Sequence, residues 1–264
     1  MSIWDTFTEV EGVIADGSDG KIACDSYNNY EEDARLISEM GATHYRFSIS
    51  WTRILPLGIG EENPEGIQYY KNLIAALKAR GITPTVTLYH WDLPQAIEDQ
   101  GGWLNPDIAL WFENYARICF REFGDEVKLW ITLNEPWATS VLGYGDGTFA
   151  PGVQGIGDSV YIAAHNQIRA HAKAYRVYEK EFAALQGGQV GITLNIFWAE
   201  PEDPNDPLHV EASDTFIQFE LGWFAHPIFV NGTYPDVMRE KVLFQGTFCH
   251  QIMISVFILS FRLT

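Results

Sequence analysis

Cysteine is scarce in this chain of 264 residues: Cys24, Cys119 and Cys249 are three in number and far apart. That odd, dispersed set builds neither a disulfide framework nor a zinc site, and it mildly favours a reducing compartment. Basic residues are also few, 17 against 35 acidic ones, for a formal net charge of −18. With no basic cluster to offset that field, a nucleic acid would be repelled, and nucleic-acid binding is excluded. Long apolar runs are missing too. The most apolar stretch, Ile252 to Phe261, is too short for a bilayer span, which needs ~20 residues. The opening residues, Met1 to Asp5, carry no basic segment followed by an apolar core, so no signal peptide is read there and the compartment stays open. Gly143, Gly145 and Gly147 alternate but lead into no Lys-Ser/Thr pair, which argues against a phosphate loop. His165 and His171 do not share a helix face as metal ligands would, and read as surface or packing residues. No metal or cofactor is expected.

What the chain has in quantity is apolar and aromatic mass, 47% and 14% of its residues, with nine Trp and twelve Tyr. Such a stock serves a tryptophan-rich core or a flat ligand with polar rims, and sugars are ligands of that kind. The patterning alternates strand and helix. Tyr30, Ala34, Ile37 and Met40 form a helical stripe that Gly41 stops. From His44 to Trp51 apolar and polar residues alternate as in a strand, with Arg46, Ser48 and Ser50 on the polar side. Asn63-Pro64 reads as N-cap and first position of a helix ending at Gly81, and Asn105-Pro106 opens another that closes near Gly124. Further strands are expected over Thr83 to His90, Lys128 to Asn134 and Gln189 to Trp198. A polar, Gly-rich loop is expected from about Thr139 to Gly157, and helices over Asp158 to Ala184 and His209 to Ala225. Four β-then-α units in series predict a parallel sheet with helices outside it, in one domain. The pattern alone suits a doubly wound sheet and a barrel equally. The tail, 241–264, breaks the pattern and reads as an aberrant sequence such as a retained intron or a frameshift. Asn231-Gly232-Thr233 fits a glycosylation sequon.

In parallel α/β folds ligands bind at the C-terminal strand ends. Those ends carry Ser50-Trp51, His90-Trp91, Asn134-Glu135 and Trp198-Ala199-Glu200. Three tryptophans beside a His and two Glu suggest a stacked polyhydroxy ligand. Cleaving a glycosidic bond needs two carboxyl groups, one to protonate the leaving oxygen and one to attack the anomeric carbon or activate water. Glu135, at a strand end among aromatic residues, suits the proton donor, and Asn134 offers an amide to a sugar hydroxyl. Glu135 could equally be a helix N-terminal carboxylate facing the macrodipole. Arg46 could be one arm of a structural salt bridge, and His90 a satisfied core histidine.

The segments HYRFSISWTRILP, TPTVTLYHWDLPQ, LWITLNEPW and AAHNQIRAHA, with SIWDTFT and GGWLNPDI, occur in register from about Ser2 to Glu240. Together they resemble glycoside hydrolase family 1, the β-glucosidase family. The resemblance implies a (β/α)8 TIM barrel, of which 2–240 would supply about four βα units, strands two to five. It implies a retaining β-glycosidase acting on β-linked glycosides, with Glu135 as general acid/base and Arg46 orienting the nucleophile. His90, Trp91 and Asn134 would bind the sugar. The family's nucleophile stands in a Thr-Glu-Asn-Gly segment, and this sequence holds none. Nor does it hold the Gln-bearing strand that precedes SIWDTFT in the family. The chain alone is therefore expected to be inactive. Glu200 lies on the strand next to Glu135 rather than across the barrel and is not expected to substitute. The alternative is a non-catalytic, klotho-like protein that binds sugar or protein.

Overall fold

The computed structural model describes residues 1–155 and 157–243. The expectations for the tail from residue 244 onward, and for Cys249, lie outside the described residues. Residues 241 to 243 belong to a helix, Asp236–Leu243.

Four strands, β1 (His44–Ser48), β2 (Thr83–Tyr89), β3 (Leu129–Asn134) and β4 (Gln189–Thr193), form one parallel sheet in sequence order. Parallel neighbours need a crossover, and each crossover here is a helix. After helix α1 (Ser26–Glu39) leads into β1, α2 (Pro64–Lys78) joins β1 to β2. Helix α3 (Ile108–Phe123) joins β2 to β3, and α4 (Asp158–Val177) joins β3 to β4. Helix α5 (Pro207–Ile217) follows β4.

Local chemistry explains most boundaries. Asn63 caps α2 by accepting from Glu65 N at 3.2 Å, with Pro64 at the first position. Gly41 and Gly81, at φ of 77° and 73°, turn the chain left-handed after α1 and α2, a conformation that costs other residues. The second Asn-Pro pair behaves differently. Asn105 Oδ1 accepts from Asp107 N, and the helix starts only at Ile108, with Asp107 in the capping position. Asn105 Nδ2 meanwhile donates to Gln100 O, so the side chain also closes the preceding turn.

Two strands are shorter than their patterns. β1 ends at Ser48 because the chain swings into a helical turn, Trp51–Ile54, and β4 ends at Thr193. The expected loop after β3 starts helically instead, through Pro136–Ala138 and Thr139–Gly143.

The main core lies between the sheet and its helices. Phe47 stacks on Tyr70 of α2, and Trp130 meets Phe120 of α3 edge-on. Tyr115 of α3 donates to Leu88 O at 2.8 Å and Ile49 O at 3.1 Å, so its buried hydroxyl is satisfied. A second cluster, including Ile168, Trp223, Phe224 and Met238, packs the segment after α5 against α4.

Candidate active site

The strand ends bring Arg46, His90, Trp91 and Asn134 together, through contacts that the pattern did not specify. Arg46 projects from the polar face of β1, as expected. Its Nε donates to Thr87 Oγ1 at 2.9 Å and its Nη2 to Asn134 Oδ1 at 2.5 Å, 88 residues away. Its hydrogen-bond partners among the described residues are therefore neutral oxygens, and no carboxylate completes a structural salt bridge there. Arginine only donates, so Oδ1 of Asn134 must face it. The Nδ2 amide of the buried Asn134 is thereby turned away and kept for another acceptor.

Asn134 reaches this face because of a bulge. Along β3, Trp130 and Thr132 face the helices: Trp130 touches Phe120, and Thr132 Oγ1 meets His171 Nδ1 at 2.8 Å. Strict alternation would send Asn134 the same way. The ladder pairs Ile131 with Gly191 but Asn134 with Thr193, so β3 holds one residue more than β4 between those pairs. Such a bulge re-aims the side chains that follow it. The next residue is fixed too, since Glu135 N donates to Thr193 O at 2.9 Å.

Two residues at the strand ends are in the left-handed region, Trp91 at φ 75° and Glu135 at φ 45°. Bulky side chains pay for that conformation, and it persists where surrounding contacts over-determine it. Trp91 is held by its Nε1, which donates to Asn134 O at 2.8 Å, and by Phe149, with ring centroids 5.4 Å apart. Its indole thus pins the same residue whose side chain Arg46 pins. Glu135 is half-buried at the head of the turn Pro136–Ala138. His90 is exposed beside Trp91, at 5.2 Å between ring centroids. Partial burial and the charge of Arg46 push its pKa down, which favours the neutral imidazole, able to donate and to accept.

The structure corrects the idea of three equivalent tryptophans. Trp51 is fully buried, stacked on Tyr115 at 4.8 Å, and donates to Gly58 O. It is a core residue, since β1 ends before it. Trp198 is 69% exposed and bonds Glu200 Oε1 at 2.6 Å, beyond the end of β4. Only Trp91 joins the cluster. His165 and His171 are packing residues, both buried, and Asn231 is exposed with its Oδ1 accepting from Thr233 N and Oγ1. Pattern reading missed Thr87, although Thr85 and Thr87 alternate with Val86 and Leu88 in β2, which was the available signal. Thr193 contributes only its carbonyl, and no side-chain pattern marks that. Among the described residues no metal-binding group of His, Cys, Asp and Glu occurs, and no helix is long and apolar enough to cross a membrane.

The profile of Glycosyl hydrolase family 1 matches residues 1–253. Lactase/phlorizin hydrolase of Rattus norvegicus is 50% identical over 92% of the chain, which covers 13% of that long protein. The cytosolic β-glucosidase of Homo sapiens is 47% identical over 91% of the chain, which covers 52% of it. A rice β-glucosidase mutant in a covalent complex with glucose superposes with a TM-score of 0.90 at 45% identity, over 97% of this chain and 56% of that one. The chain thus spans about half the length of the β-glucosidases that it matches.

Proposed function

The chain belongs to glycosyl hydrolase family 1, its sheet being four βα units of a TIM barrel, and on that premise we propose that the protein carrying it is a retaining β-glycosidase of β-glucosidase type. Glu135 protonates the leaving oxygen and then deprotonates the attacking water. Asn134 holds the sugar 2-hydroxyl, where a bond strengthens as the oxocarbenium ion develops. His90 and Trp91 hold the neighbouring hydroxyl and ring face. Arg46 orients the nucleophilic carboxylate. The observation that carries the reading is the Arg46–Asn134–Trp91 network at the head of the strand ends. It turns the Asn134 amide nitrogen away from Arg46, directly beside a glutamate in a strained conformation. The covalent glucose complex of the rice relative supports a glycosyl-enzyme intermediate. Residues 1–264 contain no Thr-Glu-Asn-Gly segment. Glu200 is exposed and bonded to Trp198, so it is not cast as the second carboxylate. These residues alone are therefore expected to show no turnover.

The test is Glu135→Gln in the full-length protein, read by pre-steady-state glycosylation. Loss of general acid catalysis is expected to slow an alkyl β-glucoside by roughly 10²–10⁴-fold. A dinitrophenyl β-glucoside, whose leaving group needs no proton, should slow far less. Equal losses on both substrates would remove Glu135 from the acid role.

A further inference from the structure

Gln167 stands on α4, fully buried, one helix turn before His171 on the same face. Ser140 Oγ donates to Pro136 O at 2.8 Å, which commits its single hydrogen. Gln167 Nε2, with two hydrogens, then has three acceptors within reach, Ser140 Oγ at 2.9 Å, Pro136 O at 3.2 Å and Ala163 O at 3.3 Å. The amide orientation is forced, because Oε1 in that place would meet three oxygens with no hydrogen to offer. Oε1 points elsewhere and is buried without a partner among the described residues. A buried, unpaired amide oxygen costs stability, and a leucine would fill the same space without it. Packing alone therefore does not account for a glutamine here.

Among the groups that Gln167 reaches, directly and through Ser140, is the carbonyl of the residue following Glu135. Pro136 has no N–H, so that carbonyl is its only backbone hydrogen-bonding group. Glu135 itself is strained at φ 45°, and a strained conformer needs its neighbours fixed. Helix α4 is thus bolted to β3 and its exit turn at two points, His171 to Thr132 and Gln167 to Pro136.

The structure assigns to Gln167 the part of a positioning residue. It anchors Pro136 and thereby the backbone rotation that aims the Glu135 carboxyl at the leaving-group oxygen. This rests on the acid/base reading of Glu135. The full-length protein, its Gln167→Leu variant and its Glu135→Gln variant are compared on an alkyl and a dinitrophenyl β-glucoside, with thermal melting alongside. Gln167→Leu is expected to melt at or above the parent temperature. It should slow glycosylation by the alkyl substrate roughly 10–100-fold, as a misplaced catalytic group does, and leave the dinitrophenyl rate within about twofold, where no proton is needed. If Gln167→Leu fails to fold, Gln167→Met is read in its place. Unchanged rates, or equal loss on both substrates, overturn the positioning role. A Glu135→Gln variant that loses both substrates equally overturns the acid/base premise instead, and the proposal falls with it.

Discussion

Acid should loosen the hold of α4 on β3, and His171 lets the size of the effect be worked out. The residue is 5% exposed and its Nδ1 meets Thr132 Oγ1 at 2.8 Å. Burial disfavours the imidazolium and pulls the pKa from 6.5 down to about 4. The folded protein then binds the proton more weakly than the unfolded chain. The stability contributed by the neutral ring is complete above pH 6.5 and is lost as pH falls toward about 4. At about 1.4 kcal/mol per pH unit, the loss between pH 7 and pH 4.5 comes to about 2–3 kcal/mol. His171→Asn keeps an amide near Thr132 but cannot titrate. Urea unfolding of both forms across this range isolates the residue, because every other titrating group cancels in the difference. The parent should lose its advantage over the variant by about 2–3 kcal/mol on going to pH 4.5. Parallel stability curves would refute the argument and mean that the ring is solvated or paired in its charged form.

Two further outcomes follow from the geometry. Trp51→Ala should cost about 3–5 kcal/mol in urea unfolding, the range for deleting a fully buried large aromatic side chain. A variant that kept its stability but lost sugar affinity would return Trp51 to the binding surface. Arg46→Met removes a charged donor from Asn134 and Thr87, and should lower kcat/KM of the full-length protein roughly 10–100-fold. Combined with Asn134→Ala the losses should sum to less than full additivity, because the part of the Arg46 effect that passes through Asn134 is shared while its hold on the nucleophile is not. Fully additive losses would show that no part of the Arg46 effect passes through Asn134.

Much of the scaffold was legible because it depends on neighbours in the chain. The Asn63-Pro64 start and the Gly41 and Gly81 stops are local chemistry, and the structure reproduces them. Asn105-Pro106 makes the same side-chain bond to the N–H two residues on, yet the chain first closes a tighter turn, Ile108 N to Asn105 O, and the helix begins at Ile108. Trp51 looked like a strand-end platform because alternation continues past Ser48. What ends β1 is the turn into Trp51–Ile54, whose indole finds Tyr115 and Gly58.

By itself the sequence determined the kinds of elements, their order, the parallel arrangement and the residues at the ends of β2 and β3. Periodicity and capping act within a few positions, so they can be read from a line of letters. Only the tertiary structure decided which of those residues meet. Arg46 and Asn134 are joined across 88 residues. They touch because one extra residue between Ile131 and Asn134 turns a side chain from the helices to the opposite face of the sheet. A side-chain period of two makes each strand's facing hang on a single-residue register, and that register is set by the neighbouring strands rather than by the strand's own sequence.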